Sequence, residues 1–111
     1  MFADGNDELV KQAAKNEYNA IVKKYGDKYH SLHEAYSVLL EEYEEVSEIL
    51  DFMKNKIGYI WTAIKENEIN RIEKMLDNMR LNTIQITLEA MQVYAVCKRF
   101  SNTLQDGGKN D

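Results

Sequence analysis

The chain has 111 residues, enough for one domain with a single modest core and too few for two comfortable ones. Nineteen acidic against fourteen basic residues give a net charge of −5, and no basic run is present, which argues against nonspecific binding to a nucleic-acid polymer or an anionic membrane. The absence of proline and the abundance of Glu, Lys, Leu, Ile and Ala point to an all-α fold with long helices. A single all-α domain over 1–111 is expected, with flexible tails at about 1–5 and 105–111.

The first ten residues, MFADGNDELV, lack the basic start and apolar run of a signal peptide, and no segment supplies the roughly 20 apolar residues of a membrane span. The single cysteine, Cys97, can form no internal disulfide and sits among apolar neighbours, so a packing role in a reducing, cytoplasmic setting is expected.

A first helix is predicted from just after Asn6, where Asp7 and Glu8 suit the helix dipole, to Tyr25, where Gly26 ends it. Ser31-Leu32-His33-Glu34 fits a capping box, which starts the second helix at Leu32. Its regular pattern runs to about Phe52 or Met53. Lys54-Asn55-Lys56-Ile57-Gly58 then reads as a bend into a short helix containing Ile60, Trp61 and Ile64. Trp61 could stack a base, but packing in a core or interface is the stronger reading, because Ile57, Ile60 and Ile64 accompany it at helical spacing. His30 and His33 read as surface or capping residues.

A last long helix is predicted from about Glu68 to about Leu104, with a kink near Arg80 to Thr83. Four helices with brief connections would pack best as a helical bundle. The last helix is apolar around more of its circumference than one neighbour covers, since Ile84, Leu88, Met91 and Ala95 point away from Ile86, Val93 and Phe100. Oligomerisation is expected to complete the bundle.

Two carboxylates break the burial pattern. Glu42 has Val38, Leu39, Val46 and Ile49 at i−4, i−3, i+4 and i+7, inside the apolar stripe. Glu89 is the only charged side chain from Leu81 to Cys97. An ionised carboxylate buried alone costs several kcal/mol or takes up a proton, so two of them on separate helices suggest a shared cation or a hydrogen-bonded site. Glu45 stacks one turn from Glu42, while Gln85, Glu89 and Gln92 form a second line at i−4, i and i+3. A hard divalent cation such as Mg²⁺ takes carboxylate oxygens and completes its octahedron with water and phosphate oxygens, which would also let an acidic protein hold an anionic substrate. The pattern is open to a plainer reading: Glu41, Glu44 and Glu48 suit a solvated face, and a buried glutamate could bond a tyrosine, Arg99 or a partner subunit.

EEYEEVSEIL (Glu41–Leu50), followed after a helical insertion by LEAMQVYAVCKRF (Leu88–Phe100), resembles the all-α nucleoside triphosphate pyrophosphohydrolases of the MazG-like family, especially small phage-type members. The resemblance covers roughly Tyr29 to Phe100. It implies a hydrolase acting on phosphoric anhydrides, which releases pyrophosphate and a nucleoside monophosphate using Mg²⁺ or, in its place, Mn²⁺. It implies metal binding by an E-x-x-E pair, here Glu42 and Glu45, and by an E-x-x-D pair, here Glu89 and Gln92. The fourth position departs from the family, since Gln92 offers a neutral amide oxygen where the pattern has Asp. Glu41 is the general-base candidate, and Lys54, Lys56 or Arg80 are candidates to reach phosphates. Glu73 and Asp77, at i,i+4, read as a surface pair. A homodimer or homotetramer is the expected assembly. Two rivals stay open: a noncatalytic helical phage or bacterial interaction protein with a degenerate metal site, and a plain helical assembly module with no site.

Overall fold

A computed structural model describes residues 3–105. They form three α-helices in chain order, α1 (Asn6–Tyr25), α2 (Leu32–Lys65) and α3 (Ile69–Gln105), and no strand occurs among the described residues. The chain divides into two compact units: the described residues up to Tyr43 together with those from Ala90 onward, and Glu44–Glu89. No helix among the described residues is long and apolar enough to cross a membrane.

α1 begins and ends where its sequence signals lie. Asp7 and Glu8 occupy the first turn and Lys23 and Lys24 the last, each complementing the helix dipole. Gly26 closes the helix at φ 89°, a left-handed value that a side chain would strain, and its amide donates to the Val22 carbonyl at 2.8 Å. At the start of α2 the Glu34 amide donates to Ser31 Oγ at 3.0 Å, as the capping box predicts. The return bond shifts by one residue, with Glu34 Oε1 accepting from the His30 amide at 3.1 Å. Ser31→Ala is expected to cost about 1 kcal/mol, read as a lower denaturation midpoint at unchanged slope.

The four-helix expectation is corrected to three. No bend separates Phe52 from Gly58, because α2 runs unbroken to Lys65. Glycine inside a helix costs about 1 kcal/mol relative to alanine, too little to end a helix whose other residues favour it. Across Arg80 to Thr83, where a kink is expected, α3 stays helical. The Thr83 and Thr87 hydroxyls donate back to the carbonyls of Arg80 and Thr83 at 2.6 and 2.8 Å, which keeps two polar side chains compatible with the helix. Of the predicted tails, 106–111 and the first two residues lie outside the described residues, and Gln105 still belongs to α3.

In the first unit, Tyr29, Ala35 and Val96 form the buried core, with Val38, Leu39 and Phe100 packed against it. The segment between α1 and α2 is tied to the end of α3 by polar bonds. The Tyr29 amide donates to Thr103 Oγ1 at 2.9 Å, Arg99 Nε to the Gly26 carbonyl at 3.1 Å, and Asn102 Nδ2 to the Asp27 carbonyl at 3.0 Å. α1 is held through Tyr18, whose hydroxyl accepts from Asn102 Nδ2 at 2.8 Å and whose ring lies under Lys98 Nζ at 4.4 Å.

The second unit is the turn between α2 and α3 with the helical segments on either side. Asn67 reverses the chain at φ 56°, a conformation Asn tolerates better than most residues, and the Glu68 amide donates to the Ala63 carbonyl at 2.9 Å. Only Ala63 and Asn82 are buried in this unit, and Lys56 Nζ donates to Asn82 Oδ1 at 2.6 Å. Trp61, expected to pack, is 60% exposed and carries Lys65 Nζ 5.5 Å from its ring centroid. Cys97 is exposed rather than packed, since it lies on the side of α3 away from the buried Ala95 and Val96.

Candidate functional site

The two glutamates that break the apolar pattern are both half-buried. Val38, Leu39, Val46 and Ile49 around Glu42 are half-buried as well, so its carboxylate shares their side of α2. One carboxylate oxygen of Glu42 is shielded from solvent. Glu45 is one turn further along the same helix and more exposed, and each residue offers a carboxylate oxygen within 4.8 Å of the other's. In the second unit, Glu45 on α2 meets Glu89 on α3 with carboxylate oxygens again within 4.8 Å. Two carboxylates from different helices cannot both stay ionised at that range without a penalty. Burial, and then the hydrogen bond and charge of Glu45, hold the Glu89 carboxyl above the ordinary carboxylate range. Carboxylate oxygens are the hard donors that Mg²⁺ or Mn²⁺ takes.

Gln92 follows Glu89 by one turn of α3, and its amide is already engaged. Nε2 donates to Glu17 Oε1 on α1 at 2.6 Å, a charge-assisted bond within the first unit. Sequence reading missed Glu17, because α1 gives it no apolar context and its partner is 75 residues away. Glu41 stays exposed on α2. Of the three basic candidates, Lys56 is bonded to Asn82, Arg80 is ion-paired with Asp77, and Lys54 is exposed. Asp77 therefore serves Arg80 rather than Glu73. His30 and His33 are both exposed.

The first unit also contains a cleft of ≈ 260 Å³ whose lining includes Tyr25, Tyr29, Val38, Glu42, Gln92 and Arg99. Arg99, which the sequence offered only as a partner for a buried glutamate, lines the same cleft. Its guanidinium lies 4.1 Å from the centroid of the Tyr29 ring, while its Nε bonds the Gly26 carbonyl. Burial pushes the Tyr29 hydroxyl above its ordinary pKa; Arg99 offsets part of this, and the charges of Glu42 and Glu34 add to it. An acid whose pKa is raised by folding holds its proton more tightly in the folded state, so stability falls as pH rises from about 10 through the raised value. Tyr29→Phe is expected to flatten the alkaline part of a plot of melting temperature against pH. An unchanged alkaline slope would show that Tyr29 does not set it.

In comparisons with family models, curated proteins and solved structures, nothing matches the chain.

Proposed function

We propose that the chain is a Mg²⁺-dependent nucleoside triphosphate pyrophosphohydrolase of the MazG-like kind, which releases pyrophosphate and a nucleoside monophosphate. The observation that carries this reading is the approach of Glu45 and Glu89 from two helices in the second unit, with Glu42 one turn along α2 from Glu45. Glu42, Glu45 and Glu89 would hold the cation, and Gln92 would add a neutral amide oxygen. The bound cation supplies Lewis-acid stabilisation of charge on phosphate oxygens.

The remaining roles fall to the chain's own groups. Glu41, exposed beside Glu42, would take the proton from the attacking water. The cleft beside Glu42 is slightly smaller than the 300–1,000 Å³ typical of small-molecule sites. It suits part of a nucleotide rather than all of it, and Tyr25 and Arg99 are among its lining residues. The enzyme would act in the cytoplasm as a homodimer or homotetramer.

The test is pyrophosphate release from a panel of ribo- and deoxyribonucleoside triphosphates with Mg²⁺ or Mn²⁺. Metal-dependent release from at least one substrate supports the reading, and no release from any, by folded protein, sinks it. A second reading draws on Gln92. The fourth position lacks a carboxylate and its amide is bonded to Glu17, which favours a noncatalytic helical phage or bacterial interaction protein with a degenerate metal site. That reading expects no turnover.

A further inference from the structure

The second helix carries a seven-residue repeat along its whole length. Leu32, Leu39, Val46, Met53 and Ile60 form one series, and Tyr36, Tyr43, Leu50, Ile57 and Ile64 form a second, offset by four residues. Ten apolar positions alternate at spacings of four and three with no break, which is the seam of a coiled coil sustained over more than four heptads. The two series have different environments. Every member of the first is half-buried, whereas every member of the second is exposed. Leu40 and Trp61 lie beside the second series and widen it. These seven exposed side chains keep 41–60% of their surface in water. That leaves roughly 800 Å² per chain along one stripe, about the area each partner loses in a standard stable interface.

The charges on α2 indicate what covers the stripe. From Leu32 to Asp51 the helix has seven acidic residues and no Lys or Arg. From Phe52 to Lys65 it has three lysines and no acid. Two copies laid parallel would set acid against acid along most of the stripe. Two copies laid antiparallel and centred on Leu50, the midpoint from Tyr36 to Ile64, bring Lys65 of each copy to within one residue of level with Glu34 of the other. The matching apolar repeat and the matching charge are both found in this chain itself, and a two-fold axis lets the same surface serve both partners.

We infer that α2 pairs with α2 of a second copy, antiparallel about Leu50, through the stripe from Tyr36 to Ile64. This inference specifies the oligomer and does not rest on the carboxylate reading, so either can fail without the other.

The test starts with the mass in solution by light scattering during gel filtration. The expected result is twice the 12.9 kDa of one chain at low micromolar concentration. A mass of one chain at about 100 μM, where a Kd of about 1 μM would leave the protein dimeric, overturns the inference. Leu50→Glu combined with Ile57→Glu should give a monomer with unchanged far-UV circular dichroism, since both side chains are exposed in the single chain. A dimer that survives this pair also overturns it. Lys65→Glu should weaken association at least about threefold at low salt.

Orientation is read by oxidative cross-linking in a Cys97→Ser background. Leu50→Cys should link to itself, and Tyr36→Cys should link to Ile64→Cys in a mixture but not to itself. Self-linking of Tyr36→Cys would show a parallel pair and overturn the arrangement.

Discussion

Glu89→Gln is expected to lower metal-dependent pyrophosphate release by about 10²- to 10³-fold, the scale of losing one group that stabilises charge in a transition state. Glu42→Gln should do the same. The substitution keeps the shape of the side chain and removes the charge, so the loss would come from cation binding rather than packing. Stability supplies the control. Folding raises the pKa of Glu89, so the folded chain binds its proton more tightly than the unfolded chain does. The stability this proton contributes is present at low pH and lost as pH rises from the ordinary glutamate value through the raised one. At neutral pH without metal, the approach of Glu45 and Glu89 is therefore a cost, and Glu89→Gln should leave the melting temperature unchanged or slightly higher. With Mg²⁺ the order should reverse. Ligand at ten times its Kd adds about 1.4 kcal/mol to the intact chain and less to the variant. A variant that melts lower than the parent without metal would show that Glu89 holds the fold rather than a cation, and activity that survives in it would sink the proposed site.

The helix ends that could be read from sequence carry local chemistry. Gly26 ends α1 because the chain needs a positive φ there, and Ser31 with Glu34 starts α2 because the pair satisfies amides within four residues. Gly58 misled for the opposite reason. Glycine is the strongest punctuation in a sequence, yet here it sits in mid-helix, and the chain reverses at Asn67, which reaches φ 56° without glycine. Glu42 and Glu89 were legible because charge at an apolar position is a local contradiction, and Glu45 because i,i+3 spacing is fixed by the helix. Glu17 was not legible, and Arg99 only as a candidate partner for a buried glutamate. Their roles depend on bonds spanning more than 70 residues, which no local pattern encodes. The exposed stripe on α2 was legible in part. Ile57, Trp61 and Ile64 show helical spacing, but periodicity alone does not say whether such a face meets its own chain or another.

Gln92→Asp tests whether the fourth position of the site has drifted or been reassigned. The amide of Gln92 donates to Glu17 at 2.6 Å, so a carboxylate at this position would remove the donor and set like charges against each other. The single variant is expected to lose about 1–3 kcal/mol without metal, the penalty of leaving a charged hydrogen-bond partner unmatched. It should also gain at least about tenfold in Mg²⁺ affinity, because a fourth carboxylate joins the line at i+3 from Glu89. Adding Glu17→Gln restores a donor from the α1 side, so the double variant should recover the lost stability and keep the affinity. Calorimetric titration with Mg²⁺ and melting curves with and without metal separate the two effects. If Gln92→Asp lowers stability and neither variant gains affinity, the line through Glu89 does not hold a cation. Gln92 then serves to fasten α1 to α3, and the noncatalytic reading takes precedence. If affinity rises and turnover rises with it, the amide is what restrains an otherwise competent pyrophosphohydrolase, and the bond to Glu17 explains why this chain keeps it.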